Sequence, residues 1–310
     1  MYLEKIRIGT RGSPLALWQA EWVKSLLEKE NAGRPVELHR IQTSGDKIQD
    51  VALAKIGGKG LFTKEIEESL LHYQTDLAVH SMKDVPVKLP TGLGITVVLH
   101  REDPRDALVS KDGSTLKDLR EGARIGTGSL RRTTQLLAYR PDFEVVPLRG
   151  NVETRLRKIE TENLDAVILA AAGLIRLGFA DRITESIAVD ILLPGVGQGA
   201  VGIETRRQDL PVINAILPLD HEATHRAIEA ERAFLKRLEG GCQVPIGAYA
   251  TIEGEVLRLQ GMVGSLDGKR TFKAEKSGSA DDSFRVGHDL AGEILAMGAD
   301  QVLKEIYDAE

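Results

Sequence analysis

The chain has 310 residues, of which 42% are hydrophobic and 28% charged, a composition typical of a globular protein with two or three domain cores. A formal net charge of −5 gives no bulk attraction to nucleic acid or to an anionic membrane surface, and we expect neither partner. The single cysteine excludes an internal disulfide and any zinc site with several cysteines. Without a signal-peptide pattern or an apolar run of about 18 residues, a cytoplasmic location is expected.

The N-terminal third alternates between strand and helix patterns. Residues 5–10 and 36–41 alternate apolar and polar side chains, as strands do, and Ser13 and Pro14 open a helical pattern between them. This strand–helix–strand order predicts a parallel sheet. Residues 43–60 have weak periodicity and several glycines, so we expect a long lid loop there.

A second α/β series follows residues 101–106, a charged segment with a proline where we place a domain boundary. Residues 125–129 echo residues 8–13, and residues 165–168 echo residues 76–79. Two doubly wound α/β domains joined by two crossovers are therefore expected, with a ligand cleft between them. The predicted boundaries are residues 1–99 with 200–217 for domain 1, 105–193 for domain 2 and 222–310 for a small α+β domain 3, with hinges at 100–104, 194–199 and 218–221.

Six arginines fall at strand ends, glycine turns or helix starts: Arg11, Arg131, Arg132, Arg149, Arg155 and Arg176. Carboxyl ends of parallel strands border the ligand crevice, and arginine pairs bidentately with carboxylate or phosphate. In a net-acidic chain this pattern favours a polyanionic ligand over ordinary surface solvation. The helix starts at Ser13 and Ser129 would attract anions as well, although both serines are equally consistent with plain helix caps.

Asp84 also stands at a predicted strand end, in the turn formed by residues 83–86. A carboxylate in a cationic crevice can stabilise developing positive charge and move protons. A turn-forming aspartate would give the same pattern.

Two further motifs match known signatures without their context. Residues 221–225 read H-E-x-x-H, but no third zinc ligand stands at the expected offset, and we expect no metal. Residues 197–202 read G-x-G-x-x-G, but a proline turn precedes them and a strand follows, so a hinge is the better interpretation. The glycines and lysine of residues 57–60 lack the spacing of a phosphate-binding loop.

Cys242 follows a long helical pattern and lies in a turn between glycines and a proline. By residue type alone, a buried structural cysteine is the more common case. Eight stretches together resemble the porphobilinogen deaminase family: residues 9–13 (GTRGS), 58–62 (GKGLF), 76–86 (DLAVHSMKDVP), 101–106 (REDPRD), 129–132 (SLRR), 148–151 (LRGN), 196–199 (VGQG) and 240–245 (GGCQVP). One departure is Gly128, where the family usually has a serine.

The resemblance implies a three-domain transferase of tetrapyrrole and haem biosynthesis, monomeric, whose first two domains look like periplasmic solute-binding proteins. It implies a dipyrromethane cofactor joined to Cys242 by a thioether. The implied reaction condenses four molecules of the substrate porphobilinogen head to tail, each losing ammonia, into hydroxymethylbilane. The main alternative is a two-domain binding protein for a small polycarboxylate or another anion.

The resemblance also assigns residue roles, with Asp84 as the catalytic residue. The residues implied to bind cofactor or substrate are Arg11, Ser13, Gln19, Lys83, Thr127, Ser129, Arg131, Arg132, Arg149, Asn151, Arg155, Arg176 and Gln198. Lys55, Lys59 and Phe62 would belong to the lid. Read with these residues, Cys242 becomes an anchor that bonds once to a primer rather than a nucleophile of each turnover.

Overall fold

The structure, a computed structural model, describes residues 4–47, 62–239 and 244–308. The chain divides into two compact units, the first from residues 1–102 and 200–225 and the second from residues 103–199 and 226–310. The separation of the second unit into two domains, and a ligand cleft between domains, stay predictions.

The first unit contains a five-stranded sheet in the order β2-β1-β3-β10-β4. Its strands are β1 (Ile6–Thr10), β2 (Val36–Arg40), β3 (Leu77–Ser81), β4 (Leu93–Val98) and β10 (Val201–Arg206). Its helices are α1 (Pro14–Glu30), α2 (Ser44–Lys47), α3 (Lys64–Leu71) and α7 (Leu210–Ile216), with a short 3₁₀ helix at Met82–Asp84. Strands β1, β2 and β3 are parallel as expected, whereas β10 runs antiparallel to both β3 and β4. The prediction that the strand from residue 201 rejoins the first sheet is confirmed.

Helices cover both faces of this sheet, and β3 and β10 are buried on both sides. On one face Ile8, Val79 and Ile203 pack with the apolar sides of α1 and α7. On the other face Ala78 and Leu93 pack with α3. This double covering explains why β3 lacks a simple alternating pattern.

The second unit contains a sheet of the same design, in the order β7-β6-β8-β5-β9. Its strands are β5 (Asp106–Ser110), β6 (Arg124–Thr127), β7 (Glu144–Pro147), β8 (Ala166–Ala170) and β9 (Glu185–Ser186), and its helices are α4 (Leu130–Tyr139), α5 (Val152–Thr161) and α6 (Ala171–Arg176). The two halves that resemble each other in sequence also share a strand register. Ile8 of β1 pairs with Leu77 of β3, and Ile125 of β6 pairs with Ala166 of β8 at the corresponding place.

Strand β5 is absent from the sequence-based expectation, which treats residues 101–106 as a connection and places the next strand at residue 124. In the structure Asp106 begins a buried strand that runs antiparallel to β8. The segment Asp-Ala-Leu-Val at residues 106–109 has the same form as the starts of β3 and β8, so the signal was present.

The predicted lid at residues 43–60 falls mostly outside the described residues. Its described beginning is not a loop, because Ser44–Lys47 forms one turn of helix. The Ser44 backbone N–H donates to the Glu65 carboxylate at the start of α3, which holds this turn to the sheet unit.

The C-terminal part of the second unit is an antiparallel sheet covered by helices, as predicted. It contains α8 (Glu222–Arg237), β11 (Ile246–Glu253), β12 (Val256–Gly264), β13 (Thr271–Ser279), α9 (Ser283–Ile294) and α10 (Asp300–Asp308). Phe234 of α8 is fully buried in its core. A Cβ atom placed on Gly261 of β12 would lie 2.6 Å from the Phe234 ring, so only glycine lets the helix approach this closely.

Asp220 and His221 precede α8 and organise its N-terminal end. Asp220 Oδ1 accepts the backbone N–H of Val98 at 2.7 Å and contacts His225 Nδ1 at 2.8 Å. The His221 ring takes the capping position, with its Nδ1 3.2 Å from the Thr224 backbone nitrogen. No helix in the described part of the chain is both long and apolar enough to cross a membrane.

Replacing Phe234 by alanine should remove the largest side chain of the C-terminal core. Cavity formation on this scale costs about 3–5 kcal/mol, so the unfolding midpoint in urea should fall steeply. Phe284→Ala, at a ring that is 50% exposed on α9, is the matched control and should change the midpoint little. Equal midpoint shifts in both variants would contradict this packing.

Candidate active site

A cavity in the first unit collects residues from four separate places in the chain. Its lining consists of Arg11, Ser13, Leu15, Ala16, Gln19, Phe62, Thr63, Val79, His80, Ser81 and Asp84. The turn after β1, the first turns of α1, the start of α3 and the 3₁₀ helix after β3 meet here, because β1 and β3 are parallel neighbours. Five of the residues predicted to bind substrate or to act in catalysis or the lid therefore lie together.

Arg11 and Ser13 are placed by the turn that joins β1 to α1. The Ser13 hydroxyl accepts the Ala16 backbone N–H at 3.4 Å, which caps the helix, and Pro14 occupies its first turn. The Arg11 guanidinium carbon lies 4.1 Å from the centroid of the Phe62 ring, a cation–π contact. Ser13 therefore acts as the predicted cap, and a ligand carboxylate at this helix start would find N–H donors and a guanidinium together.

Two polar side chains of the cavity have groups without a hydrogen-bond partner among the described residues. Gln19 is 2% exposed, and its Nε2 makes no hydrogen bond within that part of the chain. The exposed Asp84 carboxylate makes no hydrogen bond or ion pair with the described residues. An unsatisfied buried donor costs free energy, so Gln19 is suited to a ligand acceptor, whereas Asp84 is suited to ligand N–H donors or positive charge.

Other predicted residues of this region are placed differently. Lys83 precedes Asp84 in the 3₁₀ helix and is half-buried, but it is not among the residues that line the cavity. Lys55, Lys59 and Cys242 lie outside the described residues.

In the second unit, Asp106 holds two consecutive arginines. Its carboxylate accepts from Arg131 Nη1 at 2.7 Å and from Arg132 Nη2 at 2.8 Å. Gln198 Nε2 donates to the same carboxylate at 2.9 Å and to the Pro104 carbonyl at 2.7 Å. All four polar side chains are buried. Two guanidinium groups share one carboxylate, which leaves the buried group with one net positive charge.

Burial and the neighbouring arginines have opposite effects on the pKa of Asp106. Burial alone would raise the pKa of Asp106, but the charges of Arg131 and Arg132 outweigh burial and hold that pKa well below its usual range. The carboxylate is therefore ionised at neutral pH.

The remaining predicted residues of the second unit lie in the segments and helices that follow β7 and β8. The side chain of Asn151 caps α5 by accepting the Thr154 N–H at 2.8 Å, and the Arg155 Nε donates to the Gly150 carbonyl at 2.8 Å. The buried Arg176 donates to the Gly199 carbonyl at 2.8 Å. The Arg149 side chain, half-buried, makes no hydrogen bond or ion pair within the described residues, and it is available to a ligand anion.

The turn that carries Thr127 and Ser129 is tight. The Thr127 hydroxyl accepts the Ser129 backbone N–H at 3.3 Å, and the Ser129 side chain makes no capping hydrogen bond to α4. A Cβ atom on Gly128 would lie 2.5 Å from the Leu148 carbonyl oxygen. The glycine that departs from the family pattern therefore fits a backbone arrangement that a serine could enter only if the backbone shifted.

Sequence reasoning missed three functional candidates: Asp106, which organises Arg131 and Arg132, and the buried pair of His80 and Glu204. His80 lines the cavity, and its Nε2 lies 2.9 Å from Glu204 Oε2. Asp106 had a sequence signal in the strand pattern that it begins, but Glu204 had none because 124 residues separate it from His80.

The two histidines of the H-E-x-x-H match have ordinary structural partners. The His221 ring contacts Thr224, and His225 contacts Asp220. Within residues 4–47, 62–239 and 244–308, no three histidine, cysteine or acidic side chains are grouped closely enough to hold a metal ion.

Asp106→Asn should destabilise the protein strongly at neutral pH, by about 3–5 kcal/mol, because two buried guanidinium groups lose their counter-charge. The depressed pKa places the contribution of Asp106 at pH values above about 4, with loss as the pH falls toward the folded-state pKa. The difference in the free energy of unfolding between parent and variant, measured with urea, should therefore become smaller as the pH is lowered. Asp142→Asn, which removes the exposed partner of Arg140, is the control and should leave stability nearly unchanged. A constant gap across this pH range would contradict the assignment.

Family models match nearly the whole chain. Residues 6–214 match the model described as porphobilinogen deaminase, dipyromethane cofactor binding domain, and residues 225–296 match the model of the porphobilinogen deaminase C-terminal domain.

Curated relatives agree over the full length. A porphobilinogen deaminase from Trichlorobacter lovleyi is 56% identical over 99% of this chain and 98% of its own length. A porphobilinogen deaminase from Geobacter metallireducens is 54% identical over 99% of this chain and 96% of its own length.

Solved structures give weaker likenesses. The periplasmic aliphatic sulphonate binding protein SsuA from Escherichia coli is 16% identical, with a TM-score of 0.41 over 76% of this chain and 71% of SsuA. A TM-score this low supports no conclusion about function. The family models and the full-length relatives do, and the chain belongs to the porphobilinogen deaminase family.

Proposed function

We propose that this protein condenses four porphobilinogen molecules head to tail, with loss of one ammonia at each addition, to give hydroxymethylbilane. The observation that carries the proposal is the cavity of the first unit, where the exposed carboxylate of Asp84, which has no hydrogen-bond or ion-pair partner among the described residues, shares a lining with the guanidinium of Arg11. Porphobilinogen carries carboxylates and a pyrrole N–H, and it develops positive charge when ammonia leaves. The cavity offers a complement to each of these groups.

The residues present also fit a dipyrromethane cofactor. Gln19 Nε2 is a buried donor without a protein acceptor, and a ligand carboxylate would supply one. We assign Arg11, Ser13 and Gln19 to carboxylates, and Asp84 to pyrrole N–H groups. When bound through a thioether to Cys242, the dipyrromethane supplies a primer whose pyrrole carbon is the first nucleophile.

Asp84 is the proposed catalytic residue. As the C–N bond of the substrate breaks, positive charge spreads over its pyrrole ring, and an adjacent carboxylate stabilises that charge more than it stabilises the ground state. The end of β3 places Asp84 in a 3₁₀ turn at the cavity, so its position does not depend on a long flexible loop. Lys83 would contribute a further positive charge for ligand carboxylates.

The second unit offers positive charge of a different kind. Because Arg131 and Arg132 share one carboxylate, the group has one uncompensated charge, and a ligand carboxylate would neutralise it. Arg149, which has no protein partner among the described residues, would bind another. We assign Thr127, Ser129, Asn151, Arg155, Arg176 and Gln198 to the same role, directly or by holding the turns in place, and Lys55, Lys59 and Phe62 to the lid.

A binding protein for a small polycarboxylate would use the same arginines. It would need no carboxylate such as Asp84 among them, and the family models and full-length relatives give it no support. We also propose that the protein is a monomer and acts in the cytoplasm.

Intact-protein mass spectrometry tests the cofactor attachment. Freshly purified active protein should be heavier than its sequence by two pyrrole units, because the primer stays bonded to Cys242 after turnover. In Cys242→Ser the added mass should be absent. A mass equal to the bare sequence in active protein would refute the attachment.

Asp84→Asn keeps the size of the side chain and removes its charge, so turnover should be lost while the fold is kept. A charge-stabilising group of this kind contributes about 10²–10³-fold or more to the rate. Porphobilinogen consumption and circular dichroism are the measurements, and Asp118→Asn, at an exposed aspartate of the second unit, is the control. Near-normal turnover of Asp84→Asn would rule out the assigned role.

A further inference from the structure

Three buried titratable side chains lie beside the cavity of the first unit and have no part in the roles assigned above. His80 is on β3, Glu204 on β10 and Glu67 on α3, and none is more than 7% exposed. In the antiparallel pairing of β3 and β10, Gly202 stands opposite His80 and Glu204 opposite Ala78. His80 and Glu204 are therefore diagonal neighbours on one face of the sheet, and α3 covers that face.

The hydrogen-bond network assigns the roles of the two ring nitrogens of His80. Nε2 lies 2.9 Å from Glu204 Oε2, and Nε2 is the donor of this hydrogen bond when Glu204 is a carboxylate, because a carboxylate only accepts. Nδ1 makes no hydrogen bond with the described residues, and His80 lines the cavity. In that tautomer the lone pair of Nδ1 is not used within the described residues, at a residue that lines the cavity. A carboxylate behind an imidazole also stabilises the imidazolium that forms on protonation.

The titratable groups around His80 come from α3, from β10 and from the cavity. Burial raises the pKa of Glu67 above its usual value, and the nearby charge of Glu204 raises it further, while His80 acts in the opposite direction. Glu204 is the carboxylate that contacts the His80 ring directly. On the cavity side the charged groups among the lining residues are Arg11 and Asp84, and the polar side chain from α1 is the neutral Gln19.

We propose that His80 is the base that takes the proton released by the terminal pyrrole when each new carbon–carbon bond forms, with Glu204 as its positioning residue. This role presupposes the condensation proposed above. The C–N bond of the incoming ammonium group breaks, and ammonia leaves with the electron pair. The free α-carbon of the terminal pyrrole supplies the pair for the new bond.

The C–H bond at that α-carbon then breaks, its electron pair restores the aromatic ring, and the proton passes to Nδ1 of His80. The imidazolium returns the proton to water or to the released ammonia, which leaves as ammonium. One substrate ammonium and one pyrrole C–H thus become one carbon–carbon bond and one ammonium ion, and no oxidant or further reactant is needed.

The pairing can be tested without turnover by following the imidazole signals of the holoenzyme by NMR as the pH changes. His80→Gln identifies the His80 signal. In Glu204→Gln, the pH-dependent change of the His80 signal should move to lower pH than in the parent, because the opposite charge is gone. Glu37→Gln, at an exposed glutamate of β2 in the same sheet, should leave the signal unmoved. An unmoved His80 titration in Glu204→Gln would overturn the pairing.

The chemical role is tested with porphobilinogen deuterated at its free α-carbon. His80→Gln should lower kcat by about 10²–10⁴-fold, leave KM nearly unchanged, and raise the isotope effect on kcat, because proton removal becomes slower. The fall of kcat on the acid side of the pH profile should disappear in this variant and move to lower pH in Glu204→Gln. A merely structural role would lower the amount of folded enzyme and leave the isotope effect and the profile as in the parent, and that result would overturn the inference.

If His80→Gln does not fold, the pH profile of kcat in Glu204→Gln is the test. If the fall of kcat on the acid side lies at the same pH as in the parent, the inference is overturned. A parent protein that leaves porphobilinogen unconsumed would refute the proposed function instead, and the NMR titration would still report on the pairing.

Discussion

The second unit depends on one buried carboxylate. Asp106 accepts hydrogen bonds from two consecutive arginines at the start of α4 and from Gln198, which belongs to the turn at residues 197–199. Without this carboxylate the two guanidinium groups would be buried like charges. With it, a strand, a helix start and a turn are joined at one point, and the net positive charge that remains is held at a defined place.

Strand direction explains why Asp106 is available there. Three strands have an aspartate at or just before their first residue, followed by apolar residues: Asp76, Asp106 and Asp165. Asp76 and Asp165 precede β3 and β8, which run parallel to β1 and β6, so both aspartates lie at the amino ends of these strands and bind the backbone N–H groups of Arg7 and Arg124. Strand β5 is antiparallel, and Asp106 stands opposite Ala170, the last residue of β8. The same local pattern therefore has a structural role at Asp76 and Asp165, whereas at Asp106 it lies at the ligand-binding edge of the sheet.

The first unit shows the same dependence on strand direction. Because β10 is antiparallel to β3, Glu204 comes beside His80 on the face covered by α3. A carboxylate and an imidazole 124 residues apart in sequence become a buried pair at 2.9 Å. The cavity thus has an exposed carboxylate at Asp84 and an imidazole with a buried carboxylate behind it, two environments that suit different tasks with charge and protons.

The sequence by itself determined the repeated strand–helix pattern, the aspartate, arginine and serine at strand ends and helix starts, and the single cysteine in its glycine turn. Local rules are enough for these, because capping, periodicity and the carboxyl ends of parallel strands are properties of short segments. Ser13 and Asp84 fall in one cavity for that reason. Tertiary structure alone decided that β5 and β10 run antiparallel, that Arg131 and Arg132 share Asp106, and that Glu204 reaches His80. Each of these depends on a strand that inserts beside partners distant in the chain, and no local pattern states which strand that is or in which direction it runs.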